Sequence, residues 1–232
     1  MGVTYNPRIS TNNLILCLDA ANPKSYPGSG TTWIDLSGNG YNFTIYGSPT
    51  HNSSGYFTFA NNQTTQYMMR YPFETPTAEI TYSCWFRSNF TSSNQAPFTY
   101  SVNGNNEMLL LTDNSTTLVP HPKGRARPPS ITVANMQNVW VNFSWTRVSS
   151  TGTNVFYRDG QYIGDYTDDV GSSIESGGHL IIGQEADTAG GGFDANQNLD
   201  GDFARLDVYN RALTPQEIQQ NYNALKGRFI NI

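Results

Sequence analysis

Short apolar runs broken by turn residues restrict this chain to one class of fold. Asn13–Ala20, Gly55–Ala60, Glu79–Ser88, Glu107–Thr112, Val139–Val148, Thr153–Arg158, Gly178–Gly183 and Asp202–Tyr209 are each rich in β-branched or aromatic residues and bounded by Gly, Pro, Asn or Ser. Such runs suit a pleated surface between tight turns. Alternation of Val141, Phe143 and Trp145 with Trp140, Asn142 and Ser144 predicts a strand with one buried face. Asp159-Gly160, between Phe156-Tyr157 and Tyr162-Ile163, predicts a hairpin. One helix is expected, over Thr214–Lys226: Thr214 caps it, Pro215 takes the first position and Glu217 completes a capping box. Ile218, Tyr222 and Leu225 give it one apolar stripe, and Gly227 ends it. The expected architecture is therefore all-β: a two-sheet antiparallel jelly-roll sandwich with one short C-terminal helix. No repeat or linker is visible, so residues 13–232 are expected to form a single domain behind an N-terminal arm, residues 1–12.

Only 13% of residues are charged, about half the usual share. Polarity comes instead from Asn, Thr, Ser and Gly, a mix common outside cells. A net charge of −5 argues against a nucleic-acid partner, and no apolar run has the length of a membrane span. Cys17 and Cys84 make no disulfide framework and read as buried thiols. The N-terminus has no apolar signal region. An exterior composition without an export signal points to the surface of a virion, most naturally a bacteriophage, among other virion proteins. A secreted protein is the alternative. The Asn-x-Ser/Thr sequons at Asn42, Asn52, Asn62, Asn89, Asn114 and Asn142 are read as chance in so Asn-rich a chain.

Gly183 to Gln197 carries the chemistry. Glu185, Asp187, Asp194 and Gln197 place hard oxygen side chains on one short stretch, and Gly190-Gly191-Gly192 lets the backbone turn sharply between them. Mixed-charge oxygens on a flexible loop suit Ca²⁺, which accepts six to eight such ligands at irregular angles. The alternative is a solvated acidic turn.

The stretch Gly-Gln-Glu-x-Asp, a Gly pair, an acid and a Gln resembles the calcium loop of the pentraxins. Trp33–Gly40, Val155–Gly160 and Asp207–Thr214 resemble the wider laminin-G-like, concanavalin A-like group, a jelly roll used mainly to bind glycans and proteins. The resemblance implies two calcium sites. One lies among Asn105, Asn106, Glu185, Asp187 and the carbonyl of Ala186; the other is held by Glu185, Asp187, Asp194 and Gln197. It also implies that Leu111 stands where pentraxins have an apolar contact residue for the ligand. Asn105 replaces the family's Asp and Asp194 its longer Glu, which implies weak sites of about 10⁻⁴ M or weaker. The family's disulfide has Cys84 at its first position but Asn142 at its second, so that bond is not expected.

A laminarinase-like glycoside hydrolase on the same jelly roll needs Glu-x-Asp-x-x-Glu, and Gly190 stands where the second Glu must be. Enzyme activity is therefore not expected. His51, His121 and His179 show no metal spacing and read as surface or loop residues. His121–Pro129, with Lys123, Arg125 and Arg127, is a basic extended loop that would suit an acidic neighbour or simply be solvated. Tyr46, Tyr56 and Tyr67 are candidates for stacking on sugar rings. The function expected is calcium-dependent, lectin-like recognition of a glycan or cell-surface polysaccharide by a homo-oligomer. The alternative is an architectural virion protein, a capsid decoration or tail fibre whose calcium only rigidifies an interface.

Overall fold

The computed structural model describes residues 8–61, 63–90, 94–123 and 130–229, and at Asn105 the backbone alone. In chain order the strands are β1 (Leu14–Asp19), β2 (Thr32–Trp33), β3 (Phe43–Tyr46), β4 (Thr50–Asn52), β5 (Tyr56–Phe59), β6 (Tyr67–Phe73), β7 (Glu79–Ser88) and β8 (Gln95–Val102). They continue as β9 (Asn105–Asn114), β10 (Thr117–Pro122), β11 (Ile131–Thr132), β12 (Val141–Val148), β13 (Thr153–Arg158), β14 (Gln161–Thr167), β15 (Gly178–Ile182) and β16 (Gly201–Tyr209). The helix α1 spans Pro215–Leu225.

Two eight-stranded sheets result. The first runs β14-β13-β12-β7-β16-β5-β4, with β1 beside β5 on the same edge of β16. The second runs β11-β10-β9-β8-β15-β6-β3-β2. Every strand pairing is antiparallel. The sandwich and its late helix are those expected.

Alternation places the core between the sheets. Ile80, Tyr82, Cys84 and Phe86 of β7 meet Phe98 and Tyr100 of β8, Met108 and Leu110 of β9, and Leu180 and Ile182 of β15. Fully burying one such side chain contributes about 1.5–3 kcal/mol. Trp33 is also fully buried here. β12 departs from expectation, because both of its faces are buried. On its outer face Ser144 donates to Ser83, 2.9 Å away, and Asn142 donates to the Cys84 carbonyl at 3.1 Å. Cys17 and Cys84 are both free and buried.

The outer face of the first sheet is covered by the helix. Tyr157 and Tyr209 pack under Leu213 and Ile218, while Trp85 and Trp140 pack under Tyr222, Leu225 and Phe229. The expected hairpin forms, with Asp159 and Gly160 both at positive φ (53° and 77°). The expected stop at Gly227 does not: the chain runs on through it as a 3₁₀ turn, Lys226–Arg228, which carries Phe229 onto Trp85.

The capping box is present: Glu217 N donates to Thr214 Oγ1 at 3.3 Å and Thr214 N to Glu217 Oε2 at 3.0 Å. Arg211 also grips the Glu217 carboxylate through both terminal nitrogens, at 2.6 and 2.7 Å. This pairing lowers the Glu217 pKa from 4.5 to about 2. A folded pKa below the unfolded one adds stability above pH 4.5 that is lost as the pH falls toward 2. Acid titration of melting temperature is therefore expected to show a drop in that window that Glu217→Gln reduces. Equal slopes in the two proteins would refute the coupling.

Candidate functional site

The loop from Gly183 to Gln197 leaves the end of β15 and folds over the outer face of the second sheet. Its base is pinned on both sides: Gly183 N donates to the Pro97 carbonyl (3.1 Å), Leu199 N to the Gly183 carbonyl (3.0 Å) and Ala96 N to the Gln197 carbonyl (2.9 Å). Thr99 Oγ1 donates to the Gln184 carbonyl at 3.0 Å. At the tip, Thr188 and Gly191 exchange backbone bonds of 3.1 and 3.2 Å. Glycine is required at Gly190 (φ +68°), where a Cβ would lie 2.5 Å from the His179 ring.

The β8–β9 hairpin approaches the same loop. Its turn, Asn103-Gly104, has both residues at positive φ (50° and 82°), and a Cβ on Gly104 would touch Thr188 at 3.4 Å. One step along β9, Asn106 Nδ2 donates to Glu185 Oε1 at 2.6 Å. The two sequence segments singled out for the metal thus meet. The Asn105 side chain lies outside the described residues.

Four oxygen acceptors here are buried without a hydrogen-bond partner: Asn106 Oδ1 on β9, and Gln184 Oε1, Glu185 Oε2 and Gln197 Oε1 on the loop. An unpaired buried acceptor costs about 1–3 kcal/mol, more when charged. A positive ligand is one way to satisfy such oxygens. Burial raises the Glu185 pKa, and the charges of Asp187 and Asp194 push it further up against the Asn106 hydrogen bond. Those two carboxylates are exposed, whereas Glu185 and Ala186 are buried. Among the described residues no three His, Cys, Asp or Glu side chains gather closely enough to hold a metal by themselves. A cation here would have to draw on amide and carbonyl oxygens too, and a hard ion such as Ca²⁺ accepts such a set. The donor chemistry fits that ion.

Leu111 lies on the outward face of β9, in a small cluster with Ala96, Leu109 and Val119. Through Ala96 the cluster adjoins the Gln197 end of the loop, but Leu111 itself is buried.

Other sequence candidates lie elsewhere. Tyr56 packs on Trp140 beneath Arg87, on the helix side of the sandwich. His51, His121 and His179 sit in strands rather than loops. Lys123 Nζ is tied to Glu107 Oε2 (3.1 Å) and the Ser173 carbonyl (2.6 Å); Arg125 and Arg127 lie outside the described residues. Sequence reading missed Phe193, which packs on Tyr67, and His179, which supports Gly190. It also missed the Asn103-Gly104 turn, itself a strong hairpin signal.

The pentaxin family matches residues 55–231, well over half of the chain. Neuronal pentraxin-2 of Cavia porcellus is 32% identical over 153 residues, covering 62% of this chain and 34% of that protein. C-reactive protein 1.4 of Limulus polyphemus is 28% identical over 148 residues, covering 61% of this chain and 60% of that protein. The chain thus spans about a third and about three fifths of the lengths of these two relatives. The native heptameric SAP-like pentraxin of Limulus polyphemus superposes with a TM-score of 0.62 at 20% identity, over 71% of this chain and 79% of that one. These homologues are non-enzymatic, extracellular proteins, and a virion surface gains no support from them. Pentaxins oligomerise, bind ligands and typically bind calcium. Among the described residues no helix is long and apolar enough to cross a membrane. With a two-sheet sandwich, a late helix and a family match over most of its length, this chain belongs to the pentaxin family.

Proposed function

We propose that this chain is a calcium-dependent glycan-binding module at the cell exterior, formed as one jelly-roll domain over residues 13–232 and working as a homo-oligomer. The observation that carries the reading is a set of orphaned buried oxygens, Asn106 Oδ1 on β9 with Glu185 Oε2 and Gln197 Oε1 on the loop that also bears Asp187 and Asp194. Asn106, Glu185, Asp187, Asp194, Gln197 and the Ala186 carbonyl would hold the metal, with Asn105 at the hairpin. Bound calcium would neutralise the loop carboxylates and offer remaining coordination positions to sugar hydroxyl or phosphate oxygens. Glu185 accepts from Asn106 and so sets the orientation of that amide. Leu111 and its neighbours give an apolar floor at the Gln197 end.

The test is a printed array of defined oligosaccharides probed in calcium and in chelator. Retention in calcium that chelator and Glu185→Gln both abolish is the expected result. Binding indifferent to calcium would sink the reading. A protein stabilised by calcium but blind to every glycan would be architectural.

A further inference from the structure

Two aromatic stacks border the loop on the outer face of the second sheet. Tyr46 of β3 and Tyr67 of β6 are directly paired across the strands, and their rings stack at 4.5 Å and 15°. Phe193 of the loop closes on Tyr67 at 4.7 Å. Further along β6, Tyr71 stacks on His179 at 4.0 Å and 11°, and Gly190 of the loop rests against the same imidazole. In each stack the inner ring braces the loop and the outer ring meets solvent: Tyr46 is 36% and Tyr71 58% exposed. Large exposed rings are few among the described residues, and these two flank a loop that carries unpaired buried oxygens.

We infer that Tyr46 and Tyr71 are the outer rings of a stacking platform that extends the loop site along β6 and selects an extended, neutral polysaccharide. This rests on the glycan reading above.

The chemistry of the strip argues for sugar. A pyranose ring presents C–H faces to an aromatic ring and hydroxyls around its rim, so it needs apolar rings with polar edges, which tyrosine supplies. Met69 lies between the two stacks on β6. Tyr46, Tyr67, Met69, Tyr71 and Phe193 bring no charge to the strip, and burial lowers the His179 pKa, which favours its neutral form. Arg70, beside Tyr71 in β6, is turned to the Pro72 carbonyl at 3.0 Å and lies over Tyr41. Single-stranded nucleic acid also stacks on aromatics but needs a positively charged groove, whereas this chain carries a net charge of −5. Tyr67 and Tyr71 are separated by about 13 Å of extended strand, longer than one pyranose ring. A monosaccharide at the loop therefore leaves the platform empty, and a chain fills it.

The array decides this when printed with cello-, manno- and galacto-oligosaccharides from monomer to hexamer, with poly(dT) as a further spot. In calcium, the wild type is expected to gain affinity with chain length. Tyr46→Ala and Tyr71→Ala should each remove about fivefold of that gain and leave monomer binding unchanged; Tyr46→Phe, which keeps the ring, should retain it. Binding that does not grow with length, or grows equally in the alanine variants, overturns the platform and leaves the calcium-dependent reading intact. No saccharide held at any length overturns both. Retention of poly(dT) with the same tyrosine dependence reassigns the strip to base stacking and overturns the saccharide assignment.

Discussion

Excess Ca²⁺ is expected to raise the melting temperature by about 5–10 °C over chelator, with Mg²⁺ giving little and Glu185→Ala abolishing the rise. Metal at about one hundred times its dissociation constant adds about 2.7 kcal/mol, and a domain of this size gains about 2–4 °C per kcal/mol. The discrimination against Mg²⁺ follows from the donor set. Amide, carbonyl and carboxylate oxygens on a glycine-rich loop suit a large ion with irregular coordination, while Mg²⁺ demands near-octahedral geometry and gives up its water reluctantly. The metal-free comparison gives a second readout of opposite sign. Glu185 Oε2 is buried without a partner, and Asp187 and Asp194 repel the charge, so in chelator Glu185→Ala should be no less stable than the wild type. A variant that is equally destabilised with and without calcium would mark Glu185 as a packing residue. The absence of any calcium shift in the wild type would reduce the loop to a solvated turn.

The largest stability loss is expected at Arg205, far from the loop. Its guanidinium bonds Asp207 at 2.7 and 3.0 Å and Asp19 at 2.5 Å, and Nη2 also donates to the Cys17 sulfur at 3.3 Å. Arg228 reaches the other side of Asp19 with two bonds of 2.9 Å. Burial raises the Asp207 pKa, and the Arg205 charge and hydrogen bonds, with a smaller contribution from Cys17, oppose that rise. Removing one partner of a buried pair costs about 3–5 kcal/mol, because the other charge is left without compensation. Arg205→Met is therefore expected to lower the melting temperature by about 6–20 °C. The double change Arg205→Met with Asp207→Leu should recover part of the loss. A single variant that melts like the wild type would show that the network contributes nothing net.

Several elements were legible in the sequence because one signal dominated locally. Residues 79–88 and 153–158 are short runs rich in β-branched and aromatic residues, and Thr214, Pro215 and Glu217 write the start of a helix in side chains that act within one turn. β6, β8 and β10 carry Pro72, Pro97 and Pro120 inside their runs, and proline argues against a strand unless its missing N–H faces away from the ladder. The Gly183–Gln197 loop stood out by residue type, since its hard oxygens lie around three glycines in a weakly charged chain. That Asn106 reaches Glu185 depends on a contact between residues 79 apart in sequence, which no local pattern encodes. The double burial of β12 escaped for a similar reason. Ser144 and Asn142 look like solvent-facing residues until the helix side of the sandwich covers them and Ser83 satisfies them.

The contacts at the start and end of the described chain have a consequence for modular use. Gln220 donates to the Arg8 carbonyl at 2.7 Å, Ser10 N donates to Asn221 at 2.7 Å, and Tyr209 donates to the Ser10 carbonyl at 2.9 Å. Residues 8–10 are thereby fastened to the helix, so entry and exit points of the fold share one corner, behind the first sheet. The Gly183–Gln197 loop and the tyrosine strip lie on the outer side of the second. A fold wired this way keeps residues 8–10 on the helix side and leaves the Gly183–Gln197 face of the second sheet clear of them.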